Sequence, residues 1–414
     1  MNKNGAKTLR DYIAIKHGFA FSSDFYADSG NFVLLTPGNF QERGGFRWLN
    51  DKQKYFSGEI PEDYVLSTGQ MLIAMTEQAP GLLGSTFFVP DDRVYLHNQR
   101  LGLITIKDPQ RLDAEYLHYF FSSSPIREQI SKESAGTKVK HTSPDKLLQI
   151  SLEVPVYEEQ RKVAAVLRTW DEAIELHDAL ARQLQKQHVA LIYQLVFGSL
   201  RIGAFASNQK TNKYRWFNLP SDWQCERIDS LAQEVSERNS EGDAAEILSC
   251  SKYDGFVRSL DYFKKQVFSS DLTGYKRIHR GDFGFPSNHV EEGSIGLQNL
   301  TNIGLVSPIY IVFRFSANKI DNEYAHYVLK TGLYRHIFEI STSASVDRRG
   351  SLRWDEFATI PFPVPSLHEQ REIVKVLHLS AKRLAALREA RSLLERQKRG
   401  LMQKLLTGEW RVTV

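Results

Sequence analysis

Residues 150–201, ISLEVPVYEEQRKVAAVLRTWDEAIELHDALARQLQKQHVALIYQLVFGSLR, return 210 positions later as residues 360–411, IPFPVPSLHEQREIVKVLHLSAKRLAALREARSLLERQKRGLMQKLLTGEWR. Without a gap, fourteen of these fifty-two positions are identical, among them Pro155/Pro365, Glu159–Arg161/Glu369–Arg371, Gly198/Gly408 and Arg201/Arg411. Unrelated sequence would give about three, so the chain contains an internal repeat. Each copy begins as an apolar, strand-like stretch, turns at prolines, and continues for some forty residues of helical pattern to a glycine. Proline before and glycine after are the usual brackets of a helix.

In the first copy Val163, Leu167, Trp170, Ile174, His177, Ala181, Leu184, His188, Leu191 and Leu195 are spaced alternately by four and three, which is the seam of a coiled coil. The second copy carries Ile373, Leu377, Ser380, Leu384, Leu387, Arg391, Leu394, Lys398, Leu401 and Leu405 in the same register, a more polar seam. Each helix would be roughly 60 Å long, a spacer as well as a core element. The other copy is the obvious partner of each; independent amphipathic helices packed on their own domains are the alternative. His177 and His188 read as polar notches that set register rather than as metal ligands.

The segments before the helices, 1–157 and 214–367, are each the size of one domain and rich in short β-type runs such as FVLLTPGNF, QMLIAM and SPIYIVFRF. They are predicted to be strand-rich α+β domains, with 158–213 as the first helical spacer and linker and 368–414 as the second spacer. STGQMLIA around Gly69 echoes HRGDFGF around Gly281, and YLHYFF from Tyr116 echoes YAHYVL from Tyr324. The Tyr/His pattern reads as a short helix packing its aromatic face on a sheet.

Bulk numbers bound the function. The 414 residues exceed what one hydrophobic core usually supports. Cys225 and Cys250 are the only cysteines, which fits a reducing compartment and excludes a cysteine-rich zinc or disulfide framework. Nothing in the sequence reads as a membrane span or secretory signal, so a cytoplasmic location is expected. The net charge of +4 is compatible with a polyanionic partner but weak by itself. There is no Gly-Lys dipeptide for a P-loop and no Pro-Pro pair for an amino-methyltransferase loop. Nor is there a Gly-x-Ser-x-Gly elbow, an HExxH or a CxxC. Pro90–Asp92 and Pro144–Lys146 lack the acidic-x-lysine element that a nuclease would add. No catalytic residue and no metal site are expected; the sequence argues for binding.

Two variable segments alternating with two similar helices, each introduced by Pro-Val-Pro and Glu-Gln-Arg elements, resemble the specificity subunits of type I restriction-modification enzymes, the HsdS family. The resemblance covers the whole chain and includes HGFAF from His17 to Phe21 and LPSDW from Leu219 to Trp223. The first domain lacks an LPxxW opening. The resemblance implies two target recognition domains reading the halves of a split double-stranded DNA target, and helices that pair as an antiparallel coiled coil and dock two methyltransferase subunits, with motor-nuclease subunits joining later in phage defence. It places S-adenosylmethionine, ATP and Mg on those partners and leaves this chain without a cofactor. A coiled-coil structural adaptor, an active DNA methyltransferase, or the specificity subunit of a modification-only system are the alternatives.

Basic residues stand at matching places before each proline-rich turn: Lys138, Lys140 and His141 in the first domain, Arg348, Arg349 and Arg353 in the second. Lysine and arginine neutralise phosphates, and arginine also grips guanine O6 and N7. A second candidate strip is Lys276, Arg277, His279 and Arg280, with Tyr253 and Arg258. Residues 368–414 hold eleven Lys/Arg against five Asp/Glu, and 158–200 five against six, so the second helix is the more suited to lie near DNA, with a solvated face or a partner-docking surface as the equal alternative.

Overall fold

A computed structural model of the chain describes residues 7–413 except 92, 137–138, 208–209, 241–244, 264–267, 289 and 343–350. The chain is α+β, and it divides into two units: residues 1–178 with 389–414, and residues 179–388. Both repeat copies fold as 40-residue helices, Tyr157–Val196 and Leu367–Leu406. Each therefore has one portion in each unit. Among the described residues no helix is long and apolar enough to cross a membrane.

In the first unit a wholly antiparallel sheet runs in the order Ile13–His17, Leu101–Ile106, Met71–Ala74, Thr86–Phe88. A second sheet runs Tyr26–Ala27, Lys54–Phe56, Phe32–Leu34, Val94–Leu96, Val65–Leu66, with Phe32–Leu34 and Val94–Leu96 parallel. The other unit repeats the plan. Its antiparallel sheet is Ala232–Glu234, Tyr310–Phe315, Phe283–Pro286, Gly296–Leu297. Its second sheet is Gly255–Arg258, Glu246–Ser251, Ile303–Val306, Lys276–His279, again with one parallel pair, Glu246–Ser251 beside Ile303–Val306. The strand Met71–Ala74 lies between two neighbours and is buried along its whole length, as is Phe283–Pro286, which is why both read as unbroken apolar runs.

The echoes YLHYFF and YAHYVL are the helices Ala114–Ser122 and Asn322–Leu329, which bury Tyr116 and Tyr324. Asp113 and Asp321 cap them, accepting from the backbone N–H of Tyr116 at 2.9 Å and of Tyr324 at 3.2 Å. HGFAF is likewise architectural. A Cβ at Gly18 would stand 2.0 Å from the carbonyl oxygen of Asn98, so only glycine lets the backbone pass there; Phe21 is then packed against Phe56 at 4.8 Å between ring centroids.

None of the twenty seam positions is exposed. In the first unit the core takes Val163 and Leu167 from the first long helix and Met402 and Leu405 from the second. There Asp171 accepts from Lys398, and Asp178 from Arg391, so the two portions run in opposite directions. In the other unit the core takes Leu195 and Val196 from the first helix and Ile373 and Leu377 from the second. Within it Arg388 donates to Gln185 at 2.9 Å and His188 pairs with Ser380 at 2.9 Å. The polar seam residues thus find polar partners on the opposite helix: Lys398 with Asp171, Arg391 with Asp178 and Ser380 with His188. His177 keeps a buried Nδ1 without a hydrogen-bond partner.

Candidate nucleic-acid interface

Each long helix is stapled to the sheet-bearing part of a unit by its Glu-Gln-Arg element. Gln160 accepts from the backbone N–H of Asp113 at 2.9 Å and donates to the carbonyls of Arg111 (3.0 Å) and Pro155 (2.9 Å). Gln370 does the same with Asp321 (2.7 Å), Lys319 (2.9 Å) and Pro365 (2.9 Å). Both glutamines are fully buried. The preceding glutamates hold an arginine of the opposite repeat copy: Glu159 accepts from Arg411 at 2.7 and 2.6 Å in one unit, and Glu369 from Arg201 at 2.5 and 3.0 Å in the other.

LPSDW completes the second of these sites. Trp223 Nε1 donates to Glu369 at 3.0 Å, and Asp222 takes two 3.0 Å bonds from Arg201. Burial opposes the Arg201 charge, but the bonds to Asp222 and Glu369 outweigh it and hold its pKa above the usual value. The helix ends here because Gly198 adopts φ +71°, and a Cβ on it would be 2.5 Å from Pro220.

The basic loops return to the sheets at matching places. In the first unit the loop before the proline-rich turn closes on itself through the Ala135–His141 bridge, with both N–H···O bonds at 2.9 Å. It then returns to the sheet where Thr142 N donates to Met75 O at 2.9 Å, just beyond the strand Met71–Ala74. His141 is exposed; Lys140 is half-buried and donates to Ser131 at 2.7 Å. In the other unit Leu352 N donates to Ser287 O at 2.8 Å, just beyond Phe283–Pro286, and the adjacent Arg353 is exposed. Both loops thus reach the same end of the equivalent strand. Lys138, Arg348 and Arg349 lie outside the described residues.

Two exposed arginines join these sheet ends that their sequence context does not single out. Arg100 accepts through its carbonyl from Met75 N at 3.0 Å, which sets it beside Thr142. Arg238 bridges Lys276, whose ammonium donates to Tyr310 O at 2.7 Å, the residue that pairs with Pro286. Exposed His17, at the end of its strand opposite Gly102, stands at the same end of the first unit's sheet. The signal for Arg100 and Arg238 is the long-range pairing of strands, and neither sits in a charge run.

The second candidate strip divides. Lys276 is buried and bound to Tyr310 O, and burial lowers its pKa; alternation along the strand sends it inward, so it supports the sheet and offers no free cation. Arg277 and His279 face the other way and share Glu237, at 3.4 and 2.8 Å. Their hydrogen bonds, that of His279 foremost, hold the Glu237 carboxyl below its usual range. Arg280 donates to Asn299 O and to Asn302 at 3.3 Å, and Arg258 pairs with Glu246. Tyr253 lies on a hairpin tip, 80% exposed, with the Lys252 ammonium 5.5 Å from its ring centroid. Among the described residues no group of three or more His, Cys, Asp or Glu could hold a metal ion.

Two units of one strand plan, each stapled through buried glutamine and glutamate to stretches of two long helices and each carrying basic residues at one sheet end, define a binding scaffold. Residues 2–186 match the family model described as type I restriction modification DNA specificity domain. The resemblance read from the repeat is thereby borne out. The chain is similar to two specificity subunits of Methanocaldococcus jannaschii. It is 26% identical over 151 residues to that of the type I restriction enzyme MjaVIII, covering 34% of this chain and 35% of the relative. It is 25% identical over 129 residues to that of MjaIX, covering 31% and 29%. The match thus spans about a third of the length of these relatives. The fold is similar to a chain solved in work on complex assembly and conformational transition of the type I R-M system, with a TM-score of 0.58, 16% identity, and coverage of 95% of this chain and 97% of that one.

Proposed function

We propose that this chain is the non-catalytic, sequence-specific DNA-recognition subunit of a type I restriction-modification complex. In this reading 1–157 and 214–367 are two target recognition domains, each reading one half of a split double-stranded target. The long helices pair as an antiparallel coiled coil that separates them, with 158–213 and 368–414 as spacers. One asymmetric chain binds two identical partners equivalently only if it offers two similar surfaces, and the repeated helices supply them for two methyltransferase subunits. Methyl transfer with S-adenosylmethionine, and ATP- and Mg-dependent cleavage by motor-nuclease subunits, belong to those partners.

The observation that carries the reading is the equivalent return of the basic loops, Thr142 to Met75 and Leu352 to Ser287, at one end of the equivalent sheets. His141, Arg100 and Lys140 in the first unit, and Arg353 and Arg238 in the other, are the proposed contacts, and Lys138, Arg348 and Arg349, outside the described residues, are proposed with them from the sequence alone. Phosphate neutralisation would fix register and arginine would read base edges. Tyr253, Arg258, Arg277, His279 and Arg280 form a secondary set whose charge is largely committed to carboxylates. The test is co-expression with the methyltransferase encoded beside it, then methylation sequencing of host DNA with and without an intact copy of this gene. A split motif that loses its marks on deletion is expected. Unchanged methylation with an active partner overturns the reading in favour of a coiled-coil adaptor.

A further inference from the structure

A cleft of about 240 Å³ opens in the unit of residues 179–388 between the hairpin tip at Asp254, the strand end at Asn299 and Leu300, the helix Asn322–Leu329 and the second long helix at His378. It is smaller than the roughly 300–1,000 Å³ of small-molecule sites, so it suits one side chain better than a cofactor or nucleotide. Its charge is acidic. Asp254 and Glu323 line it, and two carboxylates repel phosphate, which turns the cleft away from DNA. The buried Oε2 of Glu323 lies 2.6 Å from His378 Nε2 but lacks the alignment of a hydrogen bond, so it has no donor. Around this acidic centre Leu300 is 39% exposed and Tyr253, next to Asp254, is 80% exposed. An aromatic and an aliphatic side chain beside a polar pocket is the anatomy of a protein-binding hot spot.

The other unit shows what such a carboxylate holds. DAEYLHY at 113–119 matches DNEYAHY at 321–327, so Glu115 corresponds to Glu323, and Arg168 corresponds to His378 across the repeat. Arg168 Nη1 donates to both oxygens of Glu115, each at 2.9 Å. There the chain's own arginine satisfies the carboxylate; at the matching place in the second unit the helix supplies a shorter imidazole.

We infer that the cleft at Glu323 and Asp254 receives an arginine side chain from the protein that docks along the second long helix, with Tyr253 and Leu300 packing around the inserted stem. The inference rests on the docking reading above. It makes the two otherwise similar helix surfaces distinguishable, since the first fills the matching place with its own Arg168.

The test uses the full chain and the co-expressed methyltransferase subunit, with their affinity measured by titration calorimetry and the affinity of the chain for DNA by fluorescence anisotropy. Glu323→Gln with Asp254→Asn is expected to weaken the methyltransferase affinity about tenfold or more, the value of a charged hydrogen bond lost. His378→Arg fills the cleft from within, as Arg168 does, and is expected to weaken docking without lowering the melting temperature. Unchanged affinity in either variant overturns the cleft, and so does a loss of DNA affinity in place of methyltransferase affinity, which would make nucleic acid the occupant. Failure of the unaltered chain to bind the methyltransferase at all overturns the docking reading itself, and the cleft with it.

Discussion

Replacing Glu369 by alanine removes the acceptor at the centre of the most enclosed ion pair in the second unit. The side chains of Glu369 and Arg201 are 4% and 6% exposed, and the carboxylate takes two bonds from the guanidinium and one from Trp223 Nε1. Breaking a buried pair costs about 3–5 kcal/mol, because the remaining charge keeps its desolvation penalty. Asp222 still receives two bonds from Arg201, which favours the lower part of that range, and the orphaned indole N–H adds about 1 kcal/mol. The sum is about 4 kcal/mol. For a unit of 210 residues, at roughly 2–4 °C per kcal/mol, the transition of that unit should fall by roughly 8–16 °C. Scanning calorimetry of the full chain reads this directly. Glu159→Ala supplies the comparison, since its partner Arg411 is 65% exposed and regains water when the carboxylate is lost. Equal losses in the two variants, or a Glu369→Ala shift below about 2 °C, would refute the argument that enclosure sets the cost.

Burial lowers His118 and His326 from 6.5 to about 4. Both stay neutral in the folded chain while the unfolded imidazoles take up protons, so stability falls as pH drops from 6.5 to 4, by up to roughly 3 kcal/mol for each; urea unfolding of His118→Gln at pH 7 and pH 5 should show a shallower loss, and an unchanged slope would count against the assignment. Gly198→Ala must strain φ +71° and press on Pro220, whereas Gly408 at φ +72° has nothing within 4 Å of a new Cβ. Thermal melts should place the first at about 2–3 kcal/mol and the second near 1 kcal/mol, and the reverse order would contradict the close approach. Arg353→Ala should reduce the salt dependence of DNA affinity by about one phosphate contact, while Lys276→Met should lower stability and leave that slope unchanged. A slope altered by Lys276→Met would return that lysine to the DNA surface.

The parts of the fold legible in sequence are those with a local period. Every position of the four-three spacing from Val163 to Leu195, the histidines included, is at least partly shielded from solvent, because helical geometry maps spacing onto a face without knowledge of the partner. The same locality misread Lys276: KRIHR looks like a basic strip as a string of letters, but in a strand alternate side chains turn inward, and Lys276 shares the inward face with fully buried Ile278. Arg100 and Arg238 were invisible for a different reason. Each is a solitary cation between short strands, and only pairings with distant residues, Met75 for one and Lys276 for the other, bring them to the sheet ends. The Glu159–Arg411 bond joins residues 252 apart and has no local signature beyond the identity of both residues in the two repeat copies.

The staple explains how two dissimilar units fasten to similar helices. Gln160 spends its amide on the N–H of Asp113 and the carbonyls of Arg111 and Pro155; Gln370 spends its amide on the N–H of Asp321 and the carbonyls of Lys319 and Pro365. Every one of these partners is a backbone group. A buried amide that binds backbone makes the same bonds whatever side chain projects from the residue, provided the chain passes at the same place, and Arg111 and Lys319 illustrate the tolerance. The requirement therefore falls on the backbone path, which the equivalent sheets and the capping residues Asp113 and Asp321 set. None of the exposed residues at the sheet ends, His141, Arg100, Arg238 or Arg353, contributes to it. The surface proposed to read DNA can change its side chains while the attachment to the helices keeps its geometry.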